Sequence, residues 1–107
     1  MAEAKTYAYN KDGELVPVKH CDIAVCEAAN RKTILHTTDK KRFTCNKTLK
    51  KVEEELCPDT FKRIHDHLTI NTDEVKKVLP YKVRHYKMSN GMTVISSKRM
   101  NKNYNPK

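Results

Sequence analysis

Short runs of alternating apolar and polar residues fill most of this chain, separated by tight-turn residues, a pattern that predicts antiparallel strands. Thr6–Tyr9 and Glu14–Val18 flank Asn10-Lys11-Asp12-Gly13, and Asp-Gly between β-formers signals a hairpin. Asp22–Ala28 reads as a third strand with Ile23 and Val25 turned inward. Asn30-Arg31-Lys32 forms a basic loop, Thr33–Thr38 returns as a strand, and Thr38–Lys41 turns the chain into Arg42–Cys45. The one clear helical stripe is Leu49, Val52 and Leu56 within Thr48–Leu56. Asn46 or Thr48 caps this helix, Pro58 ends it, and Lys50, Lys51 and Glu53–Glu55 form its solvated face.

The second half predicts β-structure again. Phe61–Asn71 keeps period two through Ile64, Leu68 and Ile70, but the same face would carry Asp66. Burying a lone carboxylate costs roughly several kcal/mol, so a bulge or turn at Asp66-His67 is expected to push both side chains outward. Thr72–Glu74 opens a short turn after which Val75 and Val78 pack back. Tyr81–Met88 and Met92–Ser96 form a last hairpin around Asn90-Gly91, with both central residues expected at positive φ. Asn101–Lys107 reads as a tail.

Length bounds the architecture: 107 residues predict a single domain spanning 1–107, with its core over about 6–104 and a frayed end at 105–107. No apolar run approaches the ~20 residues of a membrane helix, and Met-Ala-Glu-Ala-Lys lacks a signal-peptide core. The expectation is a cytoplasmic protein without membrane insertion, in which Cys21, Cys26, Cys45 and Cys57 are reduced thiols.

Charge changes the picture most. The chain carries +9, yet thirteen basic and thirteen acidic residues cancel over Met1–Glu74. The whole excess comes from the seven Lys and two Arg of Val75–Lys107, where no Asp or Glu occurs. A basic face can simply keep a protein soluble, but confinement to one segment favours a polyanion partner, nucleic acid first. Basic residues gather in Arg31-Lys32, in the Arg63–His67 region, and in Lys98-Arg99 with Lys102. Aromatic residues make up only 7% and form no stripe, which disfavours single-strand readers that stack bases on a sheet.

Catalytic chemistry finds little material. Two glycines, Gly13 and Gly91, leave no phosphate-cradling loop, and no Ser sits in a nucleophile-elbow context. No Cys-x-x-Cys spacing accompanies His65, His67 or the group His20, Cys21 and Cys26. The expectation is no enzyme, no metal site and no cofactor. Cys26 and Cys45 pack as small hydrophobes, and His65 is a hydrogen-bonded structural histidine.

Phe61-Lys62-Arg63-Ile64-His65-Asp66-His67-Leu68-Thr69-Ile70-Asn71 resembles the signature of the LytTR family of bacterial DNA-binding domains. In that family Phe, a variable residue, Arg, an apolar residue and His precede a polar pair, three mostly apolar residues and Asn. Asp22-Ile23 followed by Glu27-Ala28 is similar to the family's early strand, Thr48-Leu49 with Leu56 to its single helix, and Asn90-Gly91 with Ser97-Lys98-Arg99 to its closing hairpin and Ser-Arg end. The resemblance runs in order from about Thr6 to Tyr104. It implies a mostly β fold, an elongated stack of small antiparallel sheets with one short helix. It implies a transcription regulator, of the response-regulator output type found in two-component systems, whose loops read double-stranded DNA.

Carried over residue by residue, the resemblance puts Arg31, Lys32 and Thr33 in the first contact loop, with Thr33 nearest the base-reading position. Asp66 and His67 form the second loop, and Ser97, Lys98, Arg99 and Lys102 the third. By chemistry, Arg99 or Lys98 can read guanine O6/N7. Two positions depart from the pattern. Relatives usually carry Asn, Lys or Arg where this chain has Asp66, and an acid there repels phosphate while it can accept from cytosine N4. Lys32 stands where an aromatic is common. The family also implies a homodimer on repeated sites and either a receiver domain or an inhibitor partner. About five residues precede the first expected strand; if these begin the whole gene product, control would come from abundance, a partner or a membrane-bound inhibitor. Two other classes remain beside this one: a non-catalytic interaction protein of the same fold that modulates a regulator, and a basic RNA-binding protein of ribosomal type.

Overall fold

Two hydrophobic clusters, one on each face of a single large sheet, organise the chain. The computed structural model describes residues 4–100. In chain order the elements are β1 (Lys5–Tyr9), β2 (Leu15–Lys19), β3 (Ile23–Ala29), β4 (Lys32–Thr37), β5 (Arg42–Cys45), α1 (Leu49–Glu53), β6 (Phe61–His65), β7 (Leu68–Asn71), β8 (Val75–Leu79), β9 (His85–Met88) and β10 (Thr93–Ile95). Seven strands pair in the order β2-β1-β5-β4-β3-β7-β6, and three in the order β10-β9-β8. All pairings are antiparallel. The mostly β class with one short helix is the one expected, although one sheet is large rather than all being small.

The layers follow from the pattern. Leu49, Val52 and Leu56 of the α1 region pack on Ile23, Cys26, Leu35 and Cys45, on one face of the large sheet. Ala24, Val25, Ile64 and Ile70 face the other way, against Tyr86, Met88 and Val94 of the small sheet. Ile23 and Val25 are both buried, as expected, but on opposite faces. A register shift between them inserts one residue and reverses the alternation. Sandwiched between two layers, β3 is buried at four successive positions, Ile23–Cys26. The helix is shorter than its stripe. Thr48 caps it, its side chain accepting from the Lys51 N–H, and the regular helix ends at Glu53, five residues before Pro58.

Three hairpins share one turn design: a three-residue loop whose last residue takes a positive φ, as in a type I turn with a G1 bulge. Gly13, Lys40 and Gly91 occupy that position at φ 81, 69 and 91°. Their N–H groups donate to the carbonyls of Asn10, Thr37 and Met88 at 3.1, 3.1 and 3.0 Å. Asn90 therefore does not share the positive φ expected of both members of Asn90-Gly91. Its side chain is buried instead, accepting from the Met92 N–H at 3.0 Å and donating to the Thr37 carbonyl at 3.1 Å. That last bond ties the small sheet to the large one. Lys40 holds a left-handed conformation that costs a side chain about 1–2 kcal/mol. Lys40→Gly is therefore expected to stabilise the fold by about 0.5–1 kcal/mol, after the added freedom of the unfolded chain is counted. The midpoint of urea unfolding checks it.

Candidate nucleic-acid interface

Three segments far apart in sequence meet at one end of the large sheet. Antiparallel pairing of β3 with β4 places the Asn30-Arg31 turn there, and pairing of β3 with β7 brings the Asp66-His67 turn beside it. The Ala28 N–H donates to the His67 carbonyl at 2.8 Å, joining the two turns. The Ser97 N–H donates to the Ile64 carbonyl at 2.8 Å, which docks the segment after β10 against β6. Arg99 then reaches Asp66, its Nη2 donating to Oδ1 at 2.5 Å.

The first turn is tighter than the basic loop read from the sequence. Asn30 and Arg31 both take positive φ, 51 and 64°, and Lys32 already pairs with Ala29 as the first residue of β4. This is the two-residue turn that usually asks for Asn-Gly, and Arg31 fills the glycine position against its own preference. Arg31 and Lys32 are exposed. Thr33 corrects the expectation of a base-reading side chain. It is fully buried, and its hydroxyl donates to the Lys47 carbonyl at 2.8 Å, because alternation along β4 turns it to the core.

The second turn divides the expected interrupted strand into β6 and β7. A register shift between Arg63 and His65 sets Ile64 in the core and leaves Asp66 and His67 exposed, as the desolvation argument requires. His65 Nδ1 accepts from the His67 N–H at 3.2 Å. Arg63 belongs elsewhere than the basic loop. Its guanidinium points at α1, where Nε and Nη2 donate to Glu53 at 3.1 and 2.5 Å, and Thr69 donates to the same carboxylate at 2.8 Å. Glu53 is thus not part of a solvated face. It is a supporting residue missed from the sequence, although the pairing of Arg63 with Thr69 on one face of neighbouring strands carried the signal. Glu55 is also engaged, by Lys47 and Thr6. Arg63 Nη1 donates to the Asp66 carbonyl at 3.0 Å, which steadies the turn.

In the third segment Ser97 is half-buried, its hydroxyl oxygen accepting from the Met100 N–H at 3.2 Å, while Lys98 and Arg99 are exposed. Lys102 lies outside the described residues, as does the expected tail. The structure therefore brings Arg31, Lys32, Asp66, His67, Ser97, Lys98 and Arg99 to one end and turns Thr33 away from the surface. The helix supplies none of them.

The far end of the large sheet holds a cleft of about 410 Å³, lined by His20, Cys21, Glu55, Cys57 and Asn71 among others. Among the described residues no three His, Cys, Asp or Glu side chains come together in a way that could hold a metal ion. Cys26 and Cys45 are buried. Burial, with Glu53 and Cys45 nearby, pushes the Cys26 thiol far up, so it packs as an apolar group.

The family model described as the LytTr DNA-binding domain matches residues 13–105. Among solved structures, the LytTr DNA-binding domain of a methyl-accepting/DNA response regulator from Bacillus cereus superposes with a TM-score of 0.84. That match covers 94% of this chain and 93% of the other at 23% identity, and so speaks for a shared fold. No curated protein matches the chain.

Proposed function

This chain belongs to the LytTR family of DNA-binding domains, and from that premise we propose that it is the sequence-specific, double-strand DNA-binding element of a transcription regulator, reading DNA through loops. The observation that carries this is the convergence of the Asn30-Arg31, Asp66-His67 and Ser97–Arg99 segments on one end of the sheet. A recognition helix is a poor alternative. With five residues and with Leu49 and Val52 buried, α1 is too short and too committed to the core to enter a groove.

The division of labour follows from chemistry. Exposed Arg31, Lys32 and Lys98 hold phosphates, which set orientation without carrying sequence information. Arg99 reads guanine O6/N7 through its fork of N–H donors. Arg99→Ala is expected to cost about 1–3 kcal/mol on the preferred duplex and to relax the preference at one base pair. An unchanged preference in that variant would remove Arg99 from base reading.

Selection of random duplexes by the purified chain at near-physiological salt tests the reading directly. An enriched motif, repeated if the protein acts as a homodimer, is the expected result. General salt-sensitive binding without enrichment would favour the second reading, an interaction protein of the same fold that modulates a full regulator. One observation favours that second reading: the Arg99 guanidinium is already met by an acid, Asp66.

A further inference from the structure

Building on the DNA-binding reading above, we propose that Asp66 and Arg99 work as one reading unit, in which the carboxylate cancels the general attraction of Arg99 for phosphate and fixes its guanidinium, so that the pair serves base discrimination rather than overall affinity. The two side chains are 56% and 70% exposed. An ion pair so exposed adds little to the stability of a fold, so its consequence lies in what the surface presents.

Asp66 is held where it stands. Its carbonyl accepts from Arg63, Arg63 is clamped by Glu53 of α1, and Thr69 donates to the same Glu53 carboxylate. Arg99 is held at both ends: Asp66 takes its guanidinium, and the bonds from Ser97 N–H to Ile64 and from Met100 N–H to Ser97 bracket its backbone. A linked series of bonds therefore runs from the helix through Arg63 and Asp66 to Arg99. Ordering a long side chain before binding removes part of the entropy cost of the contact.

Electrostatics adds the selectivity. Phosphate attraction is long-ranged and indifferent to sequence, and a neutral pair contributes little of it. A guanidinium has five N–H donors in a fixed fork, and the contact with Asp66 engages only one nitrogen, Nη2. The others remain for guanine O6/N7, a contact that depends on the base. The pair lowers binding to every sequence but lowers it least where the fork finds its base, and specificity is that difference.

The test measures equilibrium binding of the full chain and its Asp66→Asn variant to the duplex enriched by selection and to an unrelated duplex, over a salt series. Asp66 lies in an exposed turn that Asn also favours, so the variant keeps the fold. Removing the acid restores one cationic contact. Asp66→Asn should therefore bind the unrelated duplex up to about eightfold more tightly at 0.1 M salt, with a slope steeper by about 0.9. The enriched duplex should gain less, so the ratio between the two falls. A selective wild type with an unchanged ratio in Asp66→Asn, or with weaker binding of both duplexes by the variant, overturns this inference alone. If neither protein binds any duplex, the DNA-binding reading falls and takes the inference with it.

Discussion

Raising salt from about 50 to about 200 mM should weaken binding of duplex DNA by roughly 500-fold, the result of a slope near −4.5 for about five neutralised phosphates. The sign and size come from where the charge lies. The excess of +9 sits wholly after Glu74, and Lys76, Lys77, Lys82, Lys87, Lys98 and Arg99 are exposed. The proposed contact end adds Arg31 and Lys32. Not every cation counts, since Arg99 is paired with Asp66, and Arg63 and Lys47 with glutamates. That leaves Arg31, Lys32, Lys76, Lys77, Lys82, Lys87 and Lys98, of which about five are expected to meet phosphate. A titration of binding against salt reads the slope directly, and salt-independent binding would sink the electrostatic half of the proposed function.

Tyr86→Ala should destabilise the fold by about 3–5 kcal/mol, a large fraction of the total stability typical of so small a domain. Among the described residues Tyr86 is the largest fully buried side chain, and it plugs the small sheet into the large one among Ala24, Val25, Ile64 and Ile70. Among the described residues a three-stranded layer covers that face, so few of them can close the cavity. Urea unfolding measures the loss, with Tyr86→Phe as the shape-preserving control expected to cost under about 1.5 kcal/mol. A second consequence distinguishes this residue from an ordinary core position. Arg99 lies on the short segment after β10, whose Val94 packs in the same cluster. Loosening that layer should blur the placement of Arg99, so a variant still folded at low temperature should lose sequence preference before it loses salt-dependent binding. A variant as stable as wild type would mean that the two layers are held chiefly by something else, such as the bond from Asn90 to Thr37.

Much of this protein was written into local patterns. Period-two runs predicted most of the strands, Asp12-Gly13 and Asn90-Gly91 marked two turns, and Leu49, Val52 and Leu56 marked the helix. The cost of burying Asp66 predicted a break at that residue, and the family signature around it led to the same loops. These are properties of a residue and its near neighbours, and a chain carries them before it folds. β8 was half legible: Val75 and Val78 were expected to pack, but not as a paired strand, because Lys76 and Lys77 hide the alternation behind a register shift.

Tertiary structure alone decided the rest. Bulges at Ala24 and Ile64 reassigned faces, since one inserted residue reverses every side chain that follows it. The first reversal sent Val25 to the opposite face from Ile23, while Arg63, just before the second, shares the face of Phe61 and meets the glutamate of the helix. The inward turn of Thr33 came from its place opposite Cys45 in the sheet. Most of all, 33 residues separate Asp66 from Arg99, and no local pattern links them. Only strand pairing that folds both segments to one end of the sheet makes an acid and a base, each unremarkable alone, into a pair.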